Sequence, residues 1–188
     1  MIMVLMNAKF MRSVFALLAV SALSWAGCQK DDDTPPTNET ELITTVILNF
    51  TAPGGSVSSF KFSDTDGIGG NPPVAEDITL AANTTYQLDI EFKDESNASD
   101  VKDITKEVRE EAEKHLICFA ASGVLDIPVT LDTDADGAPL GLETELTTGQ
   151  AGNGTLTIVL KHEPDKGAAN PCNTGETDVQ AEFDVVVQ

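Results

Sequence analysis

The chain predicts a mainly β protein, an antiparallel β-sandwich of immunoglobulin-like or Greek-key type with about eight or nine strands and one surface helix. Three observations carry this. Apolar residues beyond position 41 recur mostly at period two, as in half-buried strands. Turn-forming Gly, Pro, Asn and Asp clusters interrupt them about every dozen residues. The third is composition. All four Met and the single Trp lie within residues 1–27, which leaves a body of Val, Ile, Leu, Thr and six Phe, a strand-forming set.

The strands are expected in order. Val46, Leu48 and Phe50 share one face of the first, which Pro53-Gly54-Gly55 ends. Phe60 and Phe62 belong to a second, Ile78 and Leu80 to a short third, and Tyr86, Leu88, Ile90 and Phe92 to a fourth. The period then changes. Val101, Ile104, Val108 and Ala112 fall at helical spacing between charged residues, which predicts a surface helix near 100–115 capped by Ser99 or Asp100. Strand character returns at Leu116–Phe119 and again at Leu125, Ile127, Val129 and Leu131, with Pro128 marking an edge. Leu142–Leu146, Leu156–Leu160 and Val179–Val187 complete the set.

Residues 1–27 read as an export signal. Lys9 and Arg12 precede an apolar run, Ser13–Ala22, too short for a permanent span, and Ala26-Gly27 lead directly to Cys28. Small residues before a cysteine let an extended backbone reach a lipoprotein signal peptidase, so Cys28 is the expected lipidation site; Trp25 stands where such boxes usually carry an aliphatic residue. Residues 28–41 are acidic and proline-bearing, without apolar periodicity, and read as a disordered tether. Residues 42–188 are the expected sandwich domain.

The full chain has 11 basic and 31 acidic residues, and removal of Lys9 and Arg12 deepens the net charge from −20 to −22. Such a polyanion excludes nucleic acid as a partner and does not suit an anionic bilayer surface. The expected partners are the outer membrane, through the lipid on Cys28, and an unknown protein or glycan ligand.

One stretch has the spacing of a metal site. Residues 132–143 satisfy the calcium-loop pattern D-x-[DN]-x-[DN]-G-x5-E in full. Asp132, Asp134 and Asp136 would converge on one hard cation, Ala138 would offer its carbonyl, and Glu143 would close the shell, giving Ca2+ as the candidate cofactor. Strand-like flanks and Pro139 depart from the helix-flanked loop. The alternative is a tight acidic turn whose Asp side chains accept bonds from neighbouring backbone N–H groups. Cys118 and Cys172 are an even pair, open to two readings: a disulfide, or a buried small side chain and an exposed loop thiol. His115, at the helix end, and His162, beside Glu163, read as structural. The sequence holds no nucleophile elbow, phosphate loop, zinc spacing or dinucleotide fingerprint, and a non-enzymatic protein is expected.

Several phrases together carry a resemblance: Leu80–Tyr86, Asp103-Ile104-Thr105, Glu110–His115, Asp132–Leu142, Gly154–Ile158, Leu160–Pro164 and Gly175–Asp178. They resemble a group of small Bacteroidetes outer-membrane lipoproteins of unknown function. Members are often labelled with a type 1 periplasmic-binding fold, an α/β architecture that the strand-dominated pattern does not support. The acids after Cys28 also resemble the export signal of surface-exposed Bacteroidetes lipoproteins. The resemblance implies a lipid-anchored protein of the outer membrane on its extracellular face, with the periplasmic face as the alternative. Its role would be binding, adhesion or envelope structure, or else ligand capture beside an outer-membrane transporter. It implies no catalytic residue.

Overall fold

A computed structural model describes residues 41–66 and 70–188. The signal segment, the lipidation site at Cys28 and the tether up to residue 40 lie outside the described residues. Eleven strands are described: β1 (Thr45–Thr51), β2 (Val57–Ser63), β3 (Val74–Ala75), β4 (Ile78–Leu80), β5 (Thr85–Asp94), β6 (Lys102–Asp103), β7 (His115–Ala121), β8 (Val129–Thr130), β9 (Glu143–Thr147), β10 (Gly152–His162) and β11 (Glu176–Val187). They form two sheets. The larger runs β3-β2-β1-β5-β9-β8, with β6 added beside β5, and the smaller runs β4-β11-β10-β7. Every pairing is antiparallel except β4 against β11, where Ile78–Leu80 lie parallel to Val185–Val187. That exception is a three-residue excursion of chain that otherwise shuttles between strands of the larger sheet.

Alternation decides which side chains meet between the sheets. Val46, Leu48 and Phe50 of β1 and Leu88, Ile90 and Phe92 of β5 face Leu156, Ile158, Leu160, Ala181, Phe183 and Val185 in one buried cluster. A fully buried Leu, Ile or Phe contributes about 1.5–3 kcal/mol relative to exposure. Phe50 anchors one region through edge-on contacts with Phe60 and Tyr86, at 5.9 and 6.0 Å between centroids.

Two expectations are corrected. The helix α1 covers only Ile104–Glu110, followed by a 3-10 turn at Ala112–Lys114. Lys102 and Asp103 are drawn into pairing with β5, so the chain cannot coil from Ser99 or Asp100. Instead Thr105 locks the helix start to the sheet. Its hydroxyl donates to the Phe92 carbonyl at 3.1 Å and accepts from the Phe92 N–H at 2.9 Å. Of the expected stripe Ile104, Val108 and Ala112 are buried, whereas Val101, ahead of β6, is 50 % exposed.

The second correction concerns 125–131. Ile127, Val129 and Leu131 are 64, 60 and 54 % exposed. Only Val129 and Thr130 pair with β9, and Val129 lies opposite Glu145, whose side chain faces solvent. Residues directly opposite share a face, so the apolar members of this alternation point outward. Leu125 alone of the four is buried, bridging to Thr148.

Candidate functional site

The two histidines of the described chain meet at one end of the smaller sheet. His115 opens β7, His162 closes β10, and they are direct partners in the β7–β10 ladder. Leu160 and Ile117, their neighbours two residues inward, are also partners, so both imidazoles continue the core-facing side of the sheet. Their rings are 4.8 Å apart. His115 is completely buried and His162 is 4 % exposed.

Asp178 joins them through an irregularity. In the β10–β11 ladder Leu160 pairs with Val179 but Lys161 pairs with Thr177, so Asp178 is the extra residue of a bulge. Plain alternation would place it opposite in sense to buried Val179, towards solvent. The bulge re-aims the side chain, and its carboxylate is completely buried. The turn into β11 needs Gly175, at φ +68°: a Cβ there would lie 2.3 Å from the His162 carbonyl oxygen. Glu41, just ahead of β1, brings a second carboxylate with its side chain 9 % exposed.

The distances define the cluster. His115 Nε2 lies 3.6 Å from Glu41 Oε2 and 4.0 Å from Asp178 Oδ2, and His162 Nδ1 lies 3.7 Å from Asp178 Oδ1. One ligand-capable atom from each of the four residues falls within 4.8 Å of all the others. None of these atoms has a hydrogen-bond partner, although all are buried. The opposite nitrogen of His115 is satisfied: Nδ1 lies 3.1 Å from the Glu111 carbonyl oxygen. A carbonyl only accepts, so Nδ1 carries a proton, and Nε2 is the nitrogen that faces the carboxylates. Burial pushes the Asp178 carboxyl up to about 6; the imidazoles of His162 and His115 pull it down, while Glu41 and Glu176 push it up. The cause is the cost of holding an anion away from water.

The Asp132–Glu143 loop has a different character. Asp132 accepts the Gly141 N–H at 2.8 Å on Oδ1 and the Leu142 N–H at 3.1 Å on Oδ2. Asp134 Oδ1 accepts the N–H groups of Asp136 and Ala138 at 3.0 and 2.8 Å. The Ala138 carbonyl accepts the Asp134 N–H at 2.9 Å, and Glu143 pairs with Arg109 at 3.2 Å. The fourth carboxylate, that of Asp136, sits on an exposed residue. Gly137 makes the sharp turn at φ +81°. A cation is present, and it is Lys166: its ammonium donates to Asp134 Oδ2 at 2.8 Å, to the Ala112 carbonyl at 2.7 Å and to the Pro139 carbonyl at 3.0 Å. Those three bonds use all three ammonium protons. The Lys166 hydrogen bond holds the Asp134 carboxyl below its ordinary range, with the Ala138 and Asp136 N–H groups adding to the effect against burial.

Cys118 and Cys172 are joined in a disulfide, Cα atoms 5.8 Å apart. Cys118 pairs across β7–β10 with Val159, on the face opposite the core, so the bond staples the 3-10 turn Pro171–Asn173 and its loop over the outside of the smaller sheet. Among the residues that matter here, sequence reasoning missed Glu41 and Asp178. Glu41 reads as the end of a tether, and Asp178 falls just ahead of the strand expected at Val179–Val187. The Gly175 turn and the polar Glu176-Thr177-Asp178 opening of an otherwise regular strand were the available signals.

Comparison with known proteins adds no relative: no protein-family model, no curated protein and no solved structure matches this chain.

Proposed function

We propose that this chain is a lipid-anchored outer-membrane protein, displayed on the extracellular face, whose β-sandwich is a non-enzymatic binding or envelope-structural module. The observation that carries this reading is the Cys118–Cys172 bond. Stable disulfides belong to oxidising compartments, and this one accompanies a leader whose apolar run ends at Ala26-Gly27-Cys28. Anchor and staple support the same destination through independent chemistry. The acidic body, at −20 for the whole chain, suits a domain held away from an anionic bilayer. Protease shaving of intact cells tests the reading: the domain is expected to be released from wild-type cells, and Cys28→Ala is expected to abolish both labelling by a fatty-acid analogue and membrane retention. Protection of the domain until the outer membrane is broken would move it to the periplasmic face.

A second reading, ligand capture beside an outer-membrane transporter, is favoured by the row Ile127, Val129 and Leu131 on the β8 edge of the larger sheet. Neighbouring exposed apolar side chains along a sheet edge suit protein contact. Co-purification of a β-barrel protein with wild type, lost in Ile127→Asp/Val129→Asp, supports it. Wild type recovered alone from gently solubilised membranes opposes it.

A further inference from the structure

We propose that Glu41, His115, His162 and Asp178 form a closed structural site for a tetrahedral dication of the zinc class, and that this ion ties the chain ahead of β1 to the end of the smaller sheet.

The first argument is satisfaction. Glu41 Oε2, His115 Nε2, His162 Nδ1 and both oxygens of Asp178 are buried with no hydrogen-bond partner. Buried polar groups are overwhelmingly paired, and five orphans facing one another in a sandwich interior need a common partner. An ion that takes one donor from each residue satisfies four of the five, and the second Asp178 oxygen stays beside the same positive charge.

The second argument is spacing. The closest nitrogen–oxygen separations, 3.6 to 4.0 Å, exceed the 2.7–3.2 Å of an N–H···O hydrogen bond. They lie slightly above the ligand–ligand edge of a zinc tetrahedron, about 3.4 Å for bonds of about 2.0–2.1 Å. The widest separation in the set, up to 4.8 Å, must close by up to about 1.4 Å, shared between the two side chains, to complete the polyhedron. A set of imidazolium–carboxylate hydrogen bonds would require a closer approach.

Charge and donor type identify the class of ion. As ligands the imidazoles must be neutral, so with two carboxylates the set carries −2, which one dication cancels in a place where uncompensated charge is expensive. Nitrogen–oxygen sets of this kind suit zinc and its first-row neighbours; calcium takes six to eight oxygens. Four protein ligands with little exposure leave no open position for substrate, the mark of a structural centre. The site also has the outer support of such centres. A metal-bound histidine commonly donates its other N–H to a carbonyl or carboxylate, and His115 does so to Glu111. Since β7, β10 and β11 supply three ligands and Glu41 the fourth, the ion would hold the N-terminal approach against the sheet.

The test uses the purified full-length chain. After incubation with Zn2+ and desalting, it is expected to retain one zinc per chain; cobalt(II) in its place should give the intense visible bands of a tetrahedral ion. Zinc should raise Tm, and a chelator should reverse the rise. Glu41→Gln lies outside every strand, so it should keep the wild-type far-UV circular dichroism while weakening zinc affinity by about tenfold or more. His162→Ala should lose bound zinc altogether, and Asp134→Asn, in the separate acidic loop, should bind as wild type does. Failure of wild type to retain zinc or gain Tm overturns the proposal. So does stoichiometric zinc that persists in both Glu41→Gln and His162→Ala, because the ion would then sit on the acidic surface. Doubly protonated imidazoles in 15N spectra, unmoved by zinc, overturn it in favour of an imidazolium–carboxylate network.

Discussion

The acidic loop and the histidine–carboxylate cluster are opposites in how sequence and structure treat them. Asp132–Glu143 satisfies a cation-loop pattern residue by residue, yet its carboxylates accept backbone N–H groups, Lys166 and Arg109. The cluster has ligands at 41, 115, 162 and 178, spacings that belong to no linear motif, yet its polar atoms converge without partners. The difference teaches that a ligand set is defined by unsatisfied valence in space. Donor identity along the chain is only its raw material. In the loop the nearby backbone competes for the carboxylates and a lysine supplies the positive charge; in the cluster three strand ends and the approach to β1 exclude such competitors.

The comparison can be broken most forcefully at Asp178. Asp178→Ala removes the central carboxylate from a buried set and is expected to cost roughly 3–5 kcal/mol in zinc-loaded protein, measured by urea unfolding with m held in view. The same experiment in chelator should show a much smaller loss, since the burial penalty on the carboxylate disappears with it. Equal losses in the two conditions would make Asp178 a packing residue and remove the contrast.

Next in size is the staple. Cys118 and Cys172 are 54 residues apart, and chain-entropy arguments put such a crosslink at about 4 kcal/mol. Cys118→Ser/Cys172→Ser should lower the unfolding midpoint substantially yet leave zinc stoichiometry intact, because neither sulfur contributes to the cluster. Loss of zinc in this double variant would show that the loop carrying Cys172 shapes the ligand set.

The loop should respond more weakly. Asp134→Ala removes the anion from the Lys166 ammonium, whose side chain is 11 % exposed, leaving it two carbonyl partners, and is expected to cost about 1–3 kcal/mol with or without calcium. Millimolar calcium should raise the wild-type Tm less than zinc does. A calcium-dependent rise that vanishes in Asp134→Ala would restore the loop as the metal site. The pair also has a pH signature. The folded Asp134 carboxyl lies below its ordinary range because of Lys166, so the folded state binds fewer protons than the unfolded one there. Its stabilisation is complete above the unfolded pKa, about 4, and drains away as pH falls through the lower folded value. Lys166→Met should flatten that acid limb of the stability curve.

The smallest effect belongs to Glu143. Its pairing with Arg109 is half exposed, so Arg109→Ala should change stability by less than about 1 kcal/mol.

Much of the fold was legible because period-two alternation reports directly on which side of a sheet a residue occupies. Val46-Leu48-Phe50, Tyr86 to Phe92 and Val179 to Val187 all face the core as alternation requires. It failed at Ile127-Val129-Leu131, where the pattern shows that three residues share a face but not which face; pairing of Val129 with Glu145 settles it. The helix was legible by its stripe, Ile104-Val108-Ala112, and illegible at its start, where β6 pairing overrides local capping.

The sequence by itself determined the β class, the acidic charge, the leader-like run ending at Cys28 and the turns that separate the strands. These are properties of composition and local spacing, which no distant contact is needed to express. Tertiary structure alone decided that Cys118 meets Cys172, that Lys166 supplies the cation of the acidic loop, and that Glu41 and Asp178 join two histidines. The first two depend on where the loop after β10 lies, and the last on register: a ladder placing His115 opposite His162, and one bulge turning Asp178 inward. Register is set by pairing between strands far apart in the chain, and a one-residue change in it reverses every side chain beyond.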